Sequence, residues 1–483
     1  MNAADSHLAS DHRRFDVLIV GAGTAGLPCA IAAVDLGATV LLVEKADDIG
    51  GTLHLSGGHM SAAGTRRQRE RGIDDCVDDH YADVMRISEH TARADIARLA
   101  VELAPDMVEW LSDLGFPFDP TTPRVVYGHE PYGVARTYYG VAEGRSILAT
   151  MRPLIEERVR TGALALWCGT EVTSLRQVDG RVTGAVMRRG GASVEVTARN
   201  VVLATGGYGA APDLFAELDG APLVSAAALT STGDGLRMAR AIGAHIAGVG
   251  TYLPTFGGMP APDNPQRVQW VDRPLLVASE RPPWEIYVDR HGARFVAEDE
   301  ESIDIKERAL TNVDDMTFYT VFDDRAVDES RNIVVGWSAS DMRARAGTRA
   351  GVFVADSIEE LAERAGIDPV GLRRTVDAYN TAAQTGSDRE FGRTVMPAPI
   401  NTAPYYAMRN HGITLITFAG IDVDAELRVR RGDGSIIDGL YGIGELLGSA
   451  AYMGNSFCSG MLVGPCLSFG RMLGARLAKD AGR

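Results

Sequence analysis

An α/β fold, in which a parallel sheet is flanked by helices, is predicted by three features. The first is a strand–turn–helix–strand unit near the start of the chain. Residues 16–20 (DVLIV) are a short β-branched run that suits a buried parallel strand. Residues 21–26 (GAGTAG) make a glycine turn, residues 25–36 read as a helix ended by Gly37, and residues 39–43 read as the next strand. The second feature is the recurrence of strands ending in glycines far downstream, at 199–207 (RNVVLATGG) and 439–445 (GLYGIGE). The third is that no second GxGxxG follows a strand and opens a helix, so a separate second domain built on the same unit is not expected.

The glycine turn has a chemical reading as well as a structural one. Gly21, Gly23 and Gly26 let a pyrophosphate approach the backbone at a helix N-terminus, where free N–H groups and the helix dipole attract anions. Glu44 ends the second strand 23 residues after Gly21, about where a dinucleotide site needs a carboxylate for the adenosine ribose. An acid there, rather than an arginine cluster, favours FAD or NAD over NADP. Residues 49–52 (IGGT) and 56–58 (SGG) follow directly and form a loop that could lie against a flavin, which favours FAD.

The bulk properties set limits. The chain of 483 residues is 45% hydrophobic and 23% charged, ordinary for a globular protein with large cores. Its net charge of −16 argues against nucleic acid or an anionic membrane as partner. Cys29, Cys76, Cys168, Cys458 and Cys466 are scattered and form no CxxC, so neither a disulfide framework nor a metal site is expected. The polar N-terminal stretch has no apolar h-region, and the apolar stretch 17–43 is broken by glycines, Pro28 and Asp35. No membrane span is expected, and the default compartment is the cytoplasm. Oligomeric state is not readable.

Taken together, GAGTAG with VEK, GGT with SGG, ATGG, STGDG at 231–235 and GLYGIGE resemble the FAD-dependent fumarate reductase and 3-ketosteroid Δ1-dehydrogenase superfamily over nearly the whole chain. The resemblance implies a Rossmann-like FAD-binding domain of the glutathione-reductase type, formed by residues 1–248 and 398–483, with an inserted α+β cap domain at 249–397. The proline- and aromatic-rich stretch 252–285 suits a hinge or active-site wall, and 357–365 and 370–382 read as amphipathic helices of the cap. The resemblance also implies non-covalent FAD, held by Gly21, Gly23, Ala25, Gly26, Glu44, Lys45, Gly51, Thr52, Ser56, Gly57, Gly58, Val172, Ala204, Thr205, Gly206, Gly444, Glu445, Gly460 and Leu462. Asp234 is either a further FAD-side residue or a turn-former.

The two branches of the superfamily differ in how they handle the proton that accompanies hydride transfer. The fumarate-type branch clamps two carboxylates with arginines and histidines and uses an arginine as proton donor. Here Ser302 takes the place of the donor, Phe457 that of a clamp arginine, and residues 414–416 (TLI) that of a histidine pair. Burying a dicarboxylate without those partners would be costly. The steroid branch uses tyrosines. Ser302 and Phe457 also stand where two of those are expected, but Tyr127, Tyr138, Tyr139 and Tyr452 lie nearby in sequence, and residues 454–464 (GNSFCSGMLVG) are more similar to the steroid branch. Each tyrosine alone is more often a packed aromatic than a catalyst. Arg136 and Arg281 are candidates to stabilise a tyrosinate or hold a substrate carboxylate. The bland readings are kept for His54, His59, His129, His411, Met453, Met461 and Cys458, as pocket wall, core or loop residues. The activity implied is α,β-dehydrogenation of a cyclic ketone, such as a 3-ketosteroid or an oxocyclohexane carboxylate, with electrons passing to an external acceptor. The alternative is reduction of an activated C=C bond in an unsaturated carboxylate.

Overall fold

The computed structural model describes residues 14–482. The N-terminal stretch, in which no leader is expected, lies up to residue 13 outside the described residues. Strand β1 (Arg14–Val20) runs into helix α1 (Gly26–Asp35), and β2 (Val40–Val43) lies beside β1 in parallel. Helices α2 (Ala94–Asp113) and α3 (Gly144–Arg160) precede β3 (Leu164–Trp167), which pairs with β2. An antiparallel ribbon, β4 (Thr170–Val178) and β5 (Arg181–Arg189), leads to the long strand β6 (Ala192–Leu203), and α4 (Asp234–Ala241) follows.

The chain then builds a second lobe. Strands β7 (Ile286–Val288), β8 (Thr317–Asp323), β9 (Val352–Ala355) and β10 (Tyr405–His411) make an antiparallel sheet in the order β7–β8–β10–β9. Helix α5 (Ile303–Leu310) lies between β7 and β8. Helices α6 (Ile358–Ala365) and α7 (Pro369–Thr385) pack on the sheet through Leu361, Leu372 and Val376. The N-cap hydroxyl of Ser357 and carboxylate of Asp368 accept backbone N–H bonds at the starts of α6 and α7, and left-handed Gly366 ends α6. Because β10 belongs to this sheet, the second lobe continues past residue 397 and the chain leaves it only after His411. It then returns to the first sheet with β11 (Arg428–Arg430) and β12 (Ile436–Gly442) and closes with helix α8 (Val463–Ala481).

Five strands of the first sheet are parallel, in the order β12–β6–β1–β2–β3. The two segments separated by more than 200 residues thus share one sheet. Register brings Val20 opposite Val43 and Leu203, and Leu203 opposite Gly442. The strands therefore end level, and the next residues of each—Gly21, Glu44, Ala204 and the turn at Gly444—emerge along one carboxyl edge. Ligands bind at such an edge in open α/β sheets.

Two glycines on α8 set how tightly it sits on α1. A Cβ at Gly470 would lie 2.3 Å from the Ala25 carbonyl oxygen, and one at Gly474 2.2 Å from that of Cys29. Their absence lets the two backbones touch, and the first turn of α8 is thereby held against the carboxyl edge. Among the described residues, no helix is long and apolar enough to cross a membrane.

Candidate active site

A cavity of about 930 Å³ runs along the carboxyl edge of the parallel sheet and on between the two lobes. Nineteen of the twenty positions expected at the cofactor line it; Gly26 alone does not. Gly26 instead packs where a Cβ would fall 1.8 Å from the Gly21 carbonyl oxygen, so it holds α1 against the turn.

The wall is shaped for a large anionic ligand in several independent ways. Gly21 sits at φ +105°, and a Cβ there would meet the Ala204 carbonyl oxygen at 2.3 Å. Gly23 and Gly206 have nothing within 4 Å of a virtual Cβ, so bare backbone faces the cavity. The Glu44 carboxylate accepts the Ala22 N–H at one oxygen and the Ala46 N–H at the other, both at 2.8 Å, which fixes it at the tip of β2 with lone pairs to spare. Thr205 Oγ1 is buried on the wall without a hydrogen-bond partner. Lys45 Nζ donates to Asp234 Oδ2 at 2.7 Å and to Thr232 Oγ1 at 2.6 Å, linking β2 to the start of α4. Asp234 is thus both the first residue of α4 and a cavity residue. Glu445 accepts the Thr417 N–H at 2.9 Å; burial raises its carboxyl above the usual range, and the Thr417 bonds act against that shift. This donor set and these bare glycines fit FAD, with Glu44 at the ribose end.

The end of the cavity toward the second lobe has a different character. Phe256, Leu276, Ile303, Leu415, Ile416 and Phe457 line it. Phe457 stacks on His129 with ring centroids 5.5 Å apart. Burial, then the charge of His59, depresses the His129 imidazole to about 4, so the ring is neutral at physiological pH, and its Nδ1 has no partner. Thr255 Oγ1 and both oxygens of Glu307 are likewise buried and unpartnered on this wall. Arg267 and Arg273 also border the cavity, and burial lowers both guanidiniums. Arg267 already donates to Ser225 Oγ and the Ala227 carbonyl.

None of the four tyrosines singled out in the sequence lines this cavity. Tyr127 is 46% exposed. Tyr138 is buried and shares a 2.5 Å hydrogen bond with Thr65 Oγ1, and burial pushes its phenol up to about 12. Tyr139 packs at a tilt against the His59 ring, with centroids 5.2 Å apart. Tyr452 donates to the Gly444 carbonyl from inside the core, where burial drives its phenol well above the ordinary range. Arg136 is enclosed in ion pairs with Asp75 and Asp83, each at 2.8 Å. Arg281 pairs with Glu285 at 2.5 Å, which outweighs the effect of burial and raises the guanidinium. It borders a smaller pocket that shares Leu275, Val277 and Glu280 with the main one. Ser302 is the N-cap of α5 and donates to Glu130 at 2.7 Å.

The residues missed by sequence reasoning are Thr255, Arg267 and Glu307. Glu307 had a readable signal: on α5 it is one turn from Ile303 and three residues from Leu310, in the middle of the apolar stripe.

Similarity to known proteins agrees with this geometry. The chain is 29% identical over 477 residues to a probable fumarate reductase, Ifc3, of Shewanella frigidimarina, covering 96% of this chain and 75% of the relative. It is 28% identical over 548 residues to 4-oxocyclohexanecarboxylate 2-dehydrogenase of Sinomonas cyclohexanicum, covering 97% and 93%. The fold matches the crystal structure of 3-ketosteroid Δ1-dehydrogenase from Sterolibacterium denitrificans with a TM-score of 0.80 at 24% identity, over 97% of this chain and 100% of that one. Residues 16–462 match the FAD binding domain family. The chain therefore belongs to that family, has the fold seen in 3-ketosteroid dehydrogenases, and is an FAD-dependent oxidoreductase acting on CH–CH groups.

Proposed function

We propose that the protein dehydrogenates a cyclic ketone between its α and β carbons, with a 3-ketosteroid or an oxocyclohexane carboxylate as the substrate type. The observation that carries this reading is the apolar wall of Phe256, Leu276, Ile303, Leu415, Ile416 and Phe457. Three positions where a dicarboxylate clamp would stand are occupied by Ser302, Phe457 and the segment 414–416. Bound FAD would supply hydride acceptance. The backbone at Gly21, Gly23 and Gly206, with Glu44 and Thr205, would hold it. Phe256 and Phe457 exclude water from the reacting bond. The unpartnered Thr255 hydroxyl and the neutral His129 Nδ1 are available to a carbonyl or its enolate; a site of low dielectric makes such contacts count for more. The positive charge of Arg267 and Arg273 at the border of the cavity favours at most one carboxylate on the ring. An external acceptor takes the electrons.

The reverse reaction, reduction of a C=C bond conjugated to a carbonyl, is a second reading, favoured by the likeness to a fumarate reductase over 96% of the chain. One experiment separates them. Under anaerobic conditions the oxidised holoenzyme is mixed with saturated ketones, and the photoreduced holoenzyme with cyclic enones and unsaturated acids. Bleaching of the flavin band by saturated ketones is the expected result. Reoxidation only by unsaturated acids, with no bleaching, would replace the first reading with the second.

A further inference from the structure

We propose that Glu307 is the residue that exchanges a proton with the substrate carbon adjacent to the one that exchanges hydride. The proposal rests on the reading of the site as one that interconverts CH–CH and C=C beside a carbonyl, and gives it the proton-handling group that no tyrosine on the wall supplies.

The argument begins with how unusual this carboxyl is within its own lobe. Buried acids nearby are fully engaged. Glu285 is paired with Arg281, and Glu298 accepts from Arg294 and from Arg393. Glu307 is equally enclosed at 1% exposure, yet neither oxygen completes a hydrogen bond. The one guanidinium on its helix, Arg308, is committed elsewhere, to Asp304 at 2.6 Å and Ser456 Oγ at 2.9 Å. Stranding a carboxyl in this way is costly, and an apolar residue would fill the space without that cost. A group so placed in a native structure calls for an explanation other than packing.

Its position supplies one. Glu307 lies on the wall of the substrate end, one turn from Ile303, which lines the same end. Thr255, also unpartnered, and Phe256 form the facing loop. The charged or titratable groups acting on it are Asp304 and Arg308 from its own helix and Tyr252 from the facing loop; the Phe256 amide favours the anion. Farther round the cavity are Arg267, Arg273, Glu280 and His129, while Lys306 turns away to the carbonyls of Leu276 and Glu298. Burial outweighs the Phe256 amide and Arg308 and holds the carboxyl well above its usual range, which favours the neutral acid.

The step balances in both directions. In reduction, the C=C π bond breaks, the β-carbon receives hydride from reduced flavin, and the α-carbon receives the Glu307 proton, leaving a carboxylate that regains a proton from water. In dehydrogenation, the Glu307 carboxylate takes the α-proton while the β-hydride leaves to oxidised flavin. The acid form drives the first and the base form the second, so the two rates must depend on pH in opposite senses.

The test uses wild-type, Glu307→Gln and Glu307→Asp holoenzymes with cyclohex-2-enone, 4-oxocyclohexane carboxylate and a 3-ketosteroid, in single-turnover flavin reoxidation and bleaching. The expected result is a loss of roughly 100-fold or more in E307Q with FAD still bound. In wild type, reoxidation should slow and bleaching should quicken as pH rises; E307Q should show neither trend, and E307D should recover part of both. An unchanged rate and pH profile in E307Q overturns the proposal. A second measurement is independent of turnover. Infrared difference spectra of the wild-type holoenzyme at pH 7 should contain a carboxylic-acid C=O band, absent from E307Q, that shifts when the same ketones are added. If no ketone or enone reacts with wild type, the functional reading falls by itself. The proposal for Glu307 then stands or falls on that band, and a band that is absent or unmoved overturns it.

Discussion

Glu44 shows how a single carboxylate can be committed to both structure and ligand. Its two backbone bonds hold it at the end of β2, and each is charge-assisted. Glu44→Gln keeps the shape but removes the charge and one acceptor. At about 1.5–3 kcal/mol for a hydrogen bond to a charged group, FAD affinity should fall by roughly 10–100-fold, measured by titrating apoprotein with FAD. Gly21→Ala should be harsher. Its φ of +105° alone costs a side-chain-bearing residue about 1–3 kcal/mol, before the contact with Ala204 is counted, so this variant should purify largely without flavin colour. His129 makes a prediction in pH. Its folded-state value of about 4 lies below the ordinary 6.5, so the folded protein resists a proton that the unfolded chain accepts. The stability it contributes is present above pH 6.5 and is lost as pH falls from there toward 4, at about 1.4 kcal/mol per pH unit. Urea unfolding at pH 6.5, 5.5 and 4.5 should show this slope. His129→Gln should flatten it in part, because His411, also held near 4 by burial, contributes another share.

At the scale of elements, the contact between α1 and α8 couples packing to the cofactor. The first turn of α8 brings Val463 and Cys466 to the cavity wall, and Gly474 lets the rest of the helix lie on α1. A Cβ at Gly474 would meet backbone, which cannot rotate away as a side chain can. Gly474→Ala should therefore cost about 1–3 kcal/mol, the usual penalty of overpacking, and weaken FAD binding as α8 shifts. Gly482→Ala, whose Cβ would have only the Lys479 carbonyl at 3.8 Å, should leave both unchanged. The elements of this half were legible in the sequence because local chemistry fixes them: β1, the glycine turn, α1, β2 and Glu44 occur in one short segment. The strands at 199–203 and 439–442 could be recognised by their glycines, but their pairing with β1 depends on long-range register. The substrate end was much less legible. The tyrosines drew attention as chemical groups, yet Tyr138 and Tyr452 are turned into cores by contacts with Thr65 and Gly444 that no local pattern encodes. In the opposite sense, α5 carries Asp304, Lys306, Glu307 and Arg308, yet Ile303 and Leu310 pack it against Phe256, Leu276 and Phe318, and Lys306 and Glu307 are buried with them.

At the scale of the whole molecule, the two lobes divide the work of recognition. The parallel sheet offers backbone N–H groups and fixed carboxylates along one edge, which suits a long polar cofactor. The second lobe offers an apolar wall with a few unpartnered polar groups, which suits a ring bearing one carbonyl. A dicarboxylate would have to bring two charges into this space. Arg267 is already bonded to Ser225 and Ala227, and Phe457, Ile416 and Ile303 offer no hydrogen bond. Desolvating a second carboxylate against this apolar wall costs several kcal/mol, so discrimination against it should be about 100-fold or more. Photoreduced holoenzyme should accordingly be reoxidised by cyclohex-2-enone or its 4-carboxylate at least that much faster than by fumarate at equal concentration, as followed by return of the flavin absorbance. The preference should shrink when Phe457 is replaced by alanine, because water can then follow a second charge into the cavity. Equal rates with fumarate in the wild-type enzyme would mean that the guanidiniums bordering the cavity, and not its apolar wall, govern what binds.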